Sequence, residues 1–273
     1  MVGHMQNHTL SVAEAIRNRR TVRHYRPDAV PPAVLAELLA LATEAPTSWN
    51  LQDRSIVAIT TDEGREGLGW ATGGQPQPQE APVTLVFVAE PQSWRDDHQD
   101  VYDQARRSGA WNEQFIAMFS TASQAFQRDL EERGLLREYA VKDAVIAATY
   151  VMLAATEMGL ATSPMNGWDE AKVKKVIGVE DRDDLAIALL VSVGYAAEER
   201  RHPGRRPVEH NIFHQRYGAL RNAVSVAPGA RRYPGHPGHE AQRLTEACDP
   251  AAASCTAYIF STHDAVTVRL AER

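Results

Sequence analysis

Cysteine is nearly absent from this chain, which has only two among 273 residues, Cys248 and Cys255. These two residues provide neither a disulfide framework nor a zinc pattern with spaced histidines. No apolar run approaches the roughly 20 residues that a membrane span needs. The N-terminus also lacks the apolar region of a signal peptide. These absences predict a cytoplasmic protein that contacts no membrane.

The chain also lacks an excess of positive charge, because its formal net charge is -6. A general nucleic-acid binder is therefore not expected, and any anion site must be a local basic cluster. The histidines at 202, 210 and 214 are interpreted as surface residues and not as metal ligands. Apolar residues make up 44% and charged residues 23% of the chain, as in an ordinary globular protein.

Two local basic clusters do occur. The first follows a short amphipathic helix whose capping-box sequence starts at Ser11, and the second lies between Pro203 and Pro207. Guanidinium groups beside a hydroxyl can fork onto a phosphate, whereas the alternative for a short charge run is a solvated turn. The clusters consist of Arg19, Arg20, Thr21 and Arg23, and of Arg205 and Arg206.

Apolar patterning predicts the main elements between these clusters. Nearly continuous apolar residues predict buried strands at 56–59, 82–89 and 185–195. The longest helix is predicted over Tyr139–Met158, where small apolar residues suit either a dimer interface or the core of a monomer. Glycine, proline and glutamine are frequent over 64–79, and the part from Gly73 to Gln79 is predicted to form a flexible loop.

Aromatic residues interrupt a polar helical pattern over 94–137, which fits a lid and a subunit-facing hairpin equally well. The main domain is predicted to span residues 10–221. The segment 222–273 is expected to be a tail of unclear role, either wrapping a subunit or disordered. Residues 1–9 are interpreted as a leader or a cloning remnant.

Four motifs, taken in order, resemble the FMN-dependent nitroreductase family, which includes quinone and azo-compound reductases. They are Arg19–Arg23 after the first helix, Ala45–Gln52 before a strand, Gly159–Gly167 after the long helix, and Gly204–Pro207. Each motif is weak alone, but the ordered set is specific, and the resemblance covers about Leu10 to Tyr217. Two departures stand out: Thr21 replaces a frequent serine, and Asp53-Arg54 replaces the usual Pro-Trp.

The resemblance implies an α+β sandwich, with a mostly antiparallel central sheet flanked by helices. It also implies a homodimer with two FMN molecules at its interface and NAD(P)H as the electron donor. Arg19, Arg20, Thr21 and Arg23 would line the phosphate and pyrimidine side of the flavin, and Arg205, with Arg206, would add to the phosphate grip. Pro46, Thr47, Ser48 and Asn50 would approach from the partner subunit. Thr162, Ser163, Pro164, Met165, Asn166 and Gly167 would pack along the ring.

The activity implied is an NAD(P)H-dependent reduction of quinones, nitroaromatics or similar small acceptors, with the flavin carrying the chemistry. Arg23 is predicted to lie near the N1/O2 edge, where negative charge develops on reduction. No catalytic side-chain set is therefore expected. Two alternatives remain: a flavin enzyme with a dedicated substrate, such as a reductive dehalogenase or dehydrogenase, and a flavin-binding sensor with little turnover.

Overall fold

A computed structural model describes residues 10–213, 215–218, 256–260 and 265–269 of the chain. The chain divides into two compact units, Met1–Arg201 and His202–Arg273. The domain boundary expected at 221–222 stays a prediction, because the residues around it lie outside the described part.

The first unit is built on a four-stranded antiparallel sheet in the order β1-β2-β4-β3. The strands are β1 (Arg54–Ile59), β2 (Val83–Ala89), β3 (Ala161–Met165) and β4 (Ala186–Gly194). Every residue of β2 and β4 is buried, as their continuous apolar sequences predict. By contrast, β1 is an edge strand and only partly buried, although the sequence predicts a buried one.

Eight α-helices are found in the described residues of the first unit. They are α1 (Val12–Asn18), α2 (Pro32–Thr43), α3 (Asp62–Ala71), α4 (Pro76–Glu80), α5 (Gln99–Arg107), α6 (Glu113–Glu132), α7 (Leu136–Glu157) and α8 (Glu170–Val176). Short 3-10 helices span Ser48–Asn50 and Ser93–Arg95. The capping box predicted at Ser11 is present at the start of α1.

Helices cover both faces of the sheet. On one face, α2 and α7 pack against side chains such as Leu85 and Phe87, and on the other, α3 and α8 pack against Val86 and Leu190. Alternate residues of one strand thus enter two separate cores. The expected α+β class with an antiparallel sheet between helices is confirmed.

The prediction of a long helix is confirmed by α7. Gly159 follows this helix with a φ of 77°. Its alanines Ala144, Ala147 and Ala148 are fully buried, which lets α7 lie close to the sheet. Among the described residues, α7 is also the one helix long and apolar enough to cross a membrane. Its packing against β2 and β4 makes it a core helix instead.

The prediction of a loop over 73–79 is wrong from Pro76 onward, where α4 begins, and the glycines at 64, 67 and 69 lie in α3, which the sequence did not predict. The Thr61 hydroxyl caps α3 by accepting a hydrogen bond from the Gly64 N–H. Gly67 permits close packing of α3 on α8, since a Cβ there would lie 2.8 Å from Val176. The glycines thus permit helix packing here rather than flexibility.

In the second unit, a 3-10 helix spans Val208–His210, and β5 (Thr256–Phe260) pairs antiparallel with β6 (Ala265–Arg269). Tyr258, Ile259 and Phe260, residue types that favour strands, lie within β5. The other residues of the predicted tail, and residues 1–9, lie outside the described residues.

Candidate functional site

The first basic cluster lies beside β3. The helix α1 ends at Asn18, where the Arg19 N–H donates to the Ala15 carbonyl at 2.9 Å. The chain then runs extended, with a parallel bridge from Thr21 to Thr162. The structure therefore brings together two motifs that are far apart in the sequence.

Within this cluster, the Arg20 side chain folds back onto the end of α1. Its Nη1 donates to the carbonyls of Arg17 and Arg19, at 2.6 and 2.9 Å. Cations near a helix C-terminus are favourable because they complement the helix dipole. The Nε of Arg20 is buried and has no hydrogen-bond partner among the described residues.

Arg23 is exposed, and its backbone is anchored by Glu198. The Arg23 N–H donates to Glu198 Oε1 at 2.9 Å, and Arg200 Nε lies 2.7 Å from the same oxygen. The hydrogen bond from Arg23, followed by the one from Arg200, holds the pKa of Glu198 below its usual value. The Arg23 guanidinium thus extends from a fixed backbone.

Glu80 and Tyr25 fix the chain just beyond Arg23. Glu80 accepts hydrogen bonds from the Tyr25 N–H and faces His24 Nδ1, both at 3.1 Å. The buried Tyr25 hydroxyl donates to the Ser192 carbonyl of β4 at 3.2 Å. Burial, followed by the charges of Glu198 and Glu80, raises the Tyr25 pKa above its usual value. This phenol therefore stays protonated and remains a donor.

Thr162 and Ser163 are almost fully buried in β3, at 1% and 0% exposure, and neither hydroxyl has a hydrogen-bond partner among the described residues. Successive strand residues face opposite sides, so both hydroxyls cannot contact one ligand. Thr162 pairs with Val193 and faces the side of α7, against which α1 packs. Thr162 is thus the hydroxyl on the side of the basic cluster.

The other predicted residues of this motif differ in exposure. Pro164 is partly buried, whereas the Met165 side chain is 3% exposed and packs in the core next to α3 and α8. Asn166 and Gly167 are exposed, and the Gly167 carbonyl accepts a 2.8 Å hydrogen bond from Gln75. The end of β3 therefore presents backbone groups to the surface.

The loop 46–52 has an unusual backbone. Trp49, Asn50 and Gln52 have φ values of 54°, 48° and 55°, in the left-handed region that side-chain-bearing residues rarely adopt. Pro46 and Asn50 are exposed, while Thr47 and Ser48 are partly buried. The Thr47 hydroxyl accepts a 3.0 Å hydrogen bond from the Gln52 N–H, which closes the loop.

Two buried aspartates lie behind this loop. Asp143 of α7 is 5% exposed and accepts a 2.7 Å hydrogen bond from the Ser48 N–H. Asp53 is 7% exposed, and its Oδ1 has no hydrogen-bond partner within the described part of the chain. Burial, followed by repulsion from Asp143, raises the pKa of Asp53 to about 7. Arg54 lies beside both and donates to the carbonyls of Ala45 and Thr43.

Sequence reasoning missed Asp143 as a site residue. The signal was present, because Asp143 stands among alanines on the buried side of the predicted long helix. A carboxylate at such a position is costly unless a donor meets it, so it indicates a specific partner.

The helices α5 and α6 carry an aromatic cluster that reaches the loop 46–52. The Trp49 ring lies 5.0 Å from Phe119 and 5.7 Å from Phe126, between ring centres. Trp111 lies 4.5 Å from Phe119, while Met118 is 54% exposed. The helix α6 therefore contacts the loop through Phe119 and Phe126 and exposes Met118 to solvent.

Arg205 and Arg206 lie in the second unit, in an exposed stretch outside any helix, as predicted from Pro203 and Pro207. Arg205 Nη1 donates to the Gly204 carbonyl at 2.7 Å. Among the described residues, no group of three or more His, Cys, Asp or Glu is arranged to hold a metal ion.

The unpartnered polar atoms test whether this site fits a cofactor. Buried polar groups nearly always have a hydrogen-bond partner. Arg20 Nε and Thr162 Oγ1 are buried without one in the described chain, and both belong to residues of the junction between the basic cluster and β3. A donor and a hydroxyl so placed suit an anionic or polar ligand such as FMN.

The fold and the junction of a basic segment with a sheet edge define an α+β sandwich with a candidate anion site. The nitroreductase family model matches residues 16–195, and the chain belongs to the nitroreductase family. This confirms the resemblance seen in the sequence.

Individual proteins agree with this assignment. A Thermus thermophilus protein named NADH dehydrogenase is 32% identical over 204 residues, which are 75% of this chain and 96% of the relative. A structure from Exiguobacterium sibiricum, solved in complex with FMN, is 22% identical with a TM-score of 0.68, over 74% of this chain and 95% of that one. A gut-bacterial enone reductase is 20% identical with a TM-score of 0.65, over 79% and 100%.

Proposed function

We propose that this protein is an NAD(P)H-dependent oxidoreductase that binds FMN and reduces quinones, nitroaromatics or similar small acceptors. Nitroreductase-family flavoproteins use FMN, which supports the cofactor. The Thermus relative named NADH dehydrogenase supports a nicotinamide donor, and the FMN complex of the Exiguobacterium protein supports the flavin. We place this activity in the cytoplasm, with no nucleic-acid or membrane partner.

The observation that carries this proposal is the junction of the basic cluster with β3. Arg19 binds the FMN phosphate, Arg20 and Thr21 line the adjoining part of the cofactor, and the buried Thr162 hydroxyl faces the same side. When bound, FMN accepts two electrons from the nicotinamide and passes them to the acceptor.

The remaining residues orient the ring and tune its charge. The exposed end of β3, at Asn166 and Gly167, offers backbone N–H groups toward N5. Arg23 provides a positive charge at the N1/O2 edge, which stabilises the charge that forms there. The side chains needed are therefore binding and orienting groups, and no general acid or base is assigned.

We further propose a homodimer in which Pro46, Thr47, Ser48 and Asn50 contact the flavin of the partner subunit. The helices α1 and α7 pack together, and both expose large apolar side chains. Exposed apolar surface of this kind favours a protein interface. The side chains are Val12 (70% exposed), Ile16 (58%), Ile146 (36%) and Tyr150 (41%).

The purified protein tests the proposal directly. We expect a yellow protein whose visible absorption is bleached by NADH or NADPH under anaerobic conditions and restored by menadione. A colourless protein that takes up no added FMN contradicts the flavin proposal. A yellow protein that reacts with neither nicotinamide supports the sensor alternative and contradicts the reductase.

A second candidate keeps the flavin but has one dedicated substrate. The aromatic cluster around Phe119 and the exposed Met118 favour this candidate. Aromatic and apolar side chains that line a pocket can match the shape of one apolar acceptor. The neighbour described as an enone reductase shows that this fold occurs in an enzyme with a defined substrate. A panel of quinones, nitroaromatics, halogenated aromatics and enones separates the candidates, since a broad reductase accepts several of these classes.

A further inference from the structure

The backbone of the loop 46–52 needs external support. Three of its side-chain-bearing residues, Trp49, Asn50 and Gln52, have positive φ values. Non-glycine residues in the left-handed region are strained, and such strain persists only where the surroundings over-determine the conformation. The contacts that impose this conformation therefore decide where the loop's side chains point.

Two charged side chains supply these contacts from behind the loop. The Asp143 carboxylate accepts the Ser48 N–H at 2.7 Å, at the point where the loop enters its 3-10 turn. Arg54 Nη2 donates to the Ala45 carbonyl at 2.5 Å, just before the loop begins. Asp143 thus holds the N–H of Ser48 inside the loop, and Arg54 holds the carbonyl of Ala45 just before it.

The Asp143 contact belongs to a strong class. Hydrogen bonds to an ionised acceptor are shorter and roughly twice as strong as those between neutral groups. Asp143 is 5% exposed and comes from α7, whose neighbouring alanines pack rigidly against the sheet. The position of Ser48 is therefore fixed relative to α7 by the hydrogen bond from the Ser48 N–H to Asp143.

We propose that Asp143 is a positioning residue, which holds the loop 46–52 in its left-handed conformation through the Ser48 N–H and so presents the loop to the flavin. The proposal rests on the proposed function for the role of the loop. Asp143 acts through the loop, because its carboxylate accepts a hydrogen bond from the backbone N–H of Ser48.

The first experiment does not depend on flavin. Hydrogen-deuterium exchange of the peptide containing 46–52 is compared for the parent and the variants Asp143→Leu, Asp143→Asn and Glu138→Gln. Glu138 is a matched control, because it is an exposed acidic residue of the same helix, 3.8 Å from Lys142. We expect faster exchange in the leucine variant, a partial rescue in the asparagine variant, which keeps an acceptor oxygen, and no change in the control.

A second pair of variants removes the other partner of the same bond. Ser48→Pro deletes the N–H at the first position of a turn, where proline is tolerated. Ser48→Ala keeps the N–H and removes only the hydroxyl. We expect Ser48→Pro to reproduce the effect of Asp143→Leu, with no further effect when the two are combined, while Ser48→Ala resembles the parent in loop exchange.

The second readout is the dissociation constant for FMN, measured by flavin fluorescence. Asp143→Leu should weaken binding about tenfold, as expected for losing one charge-assisted hydrogen bond. Asp143→Asn should retain most of the affinity. Unchanged loop exchange in Asp143→Leu overturns the positioning role. Faster exchange with unchanged FMN affinity refutes the link to the flavin, and a parent protein that binds no FMN refutes the proposed function while the exchange result stands.

Discussion

The Val22 N–H donates a 3.1 Å hydrogen bond to the Thr162 carbonyl and thereby attaches the first basic cluster to the edge of the sheet. The parallel bridge between Thr21 and Thr162 continues this contact. Without it, the arginines after α1 would form an ordinary solvated turn. With it, they lie beside the buried Thr162 hydroxyl on a strand of the sheet, which is where a cofactor site requires them.

The resemblance predicts a phosphate contact for Arg19 and, separately, for Arg205. Replacing either with alanine should weaken FMN binding by a few kcal/mol at most, the range for charge-assisted hydrogen bonds. Flavin retention after extensive dialysis measures this. The control is Arg133→Ala, an exposed arginine directly after α6 that lies 3.0 Å from Asp129. Full flavin in both variants would show that other groups bind the phosphate.

Arg23 is predicted to tune the flavin and not to retain it. A fixed positive charge near N1/O2 stabilises the reduced flavin, so Arg23→Ala should keep appreciable FMN but lower its midpoint potential. At one electron, ~60 mV corresponds to a tenfold change in the equilibrium. Spectroelectrochemical titration measures the shift, and Arg23→Lys, which keeps the charge, serves as the control. An unchanged potential in flavin-loaded Arg23→Ala removes this role.

Local apolar patterns predicted the strands β1, β2 and β4 and the long helix, whereas β3 was not predicted as a strand. The continuous runs in β2 and β4 reflect burial on both faces, and the small residues of α7 reflect close packing. The helix α3 was not predicted, and the reason is physical. Gly67 makes room for Val176 across α3 and α8, and that tertiary contact outweighs the low helix propensity of glycine.

The candidate site was predicted only in part. Residue types at the first basic cluster indicate anion binding, but only the tertiary contact of Val22 with Thr162 brings them to β3. The role of Asp143 depends on its contact with Ser48 in a distant loop, which no local pattern contains. Sequence motifs therefore identify the chemical groups, while long-range backbone contacts determine their geometry.

The homodimer should form through the exposed apolar residues of α1 and α7. Replacing Ile146 and Tyr150 with glutamate places charge on this surface, and we expect both dissociation to a monomer and loss of FMN. Sedimentation with absorbance at the flavin band measures both properties at once. The control is Lys175→Glu on α8, on the other side of the sheet. A flavin-loaded monomer in the parent protein would refute a shared site.

The segment Trp94–Arg137, which contains α5 and α6, is predicted to act as a lid that determines acceptor range. Phe115 and Met118 are exposed on α6, so replacing both with serine should change the lining while preserving the fold. We expect the ratio of kcat/KM between menadione and a nitroaromatic acceptor to change by about tenfold, with FMN affinity nearly constant. Loss of flavin with an unchanged ratio would instead make these residues structural.

The buried Asp53 should make stability depend on pH. Its pKa is raised from its usual 3.8 to about 7, so the folded state binds the proton more tightly than the unfolded state does. The cost of ionising Asp53 is therefore absent below about pH 4. It grows as the pH rises and is complete above about pH 7.

Asp53→Asn removes this cost, because the amide carries no charge at any of these pH values. The variant should differ little from the parent near pH 4, and its advantage in the free energy of unfolding should grow to about 4 kcal/mol above pH 7. Urea unfolding at pH 4.5 and pH 8 measures the change. Asp129→Asn is the control, since Asp129 is exposed and paired with Arg133. An Asp53→Asn protein with the same advantage at both pH values would show that Asp53 does not titrate in this window.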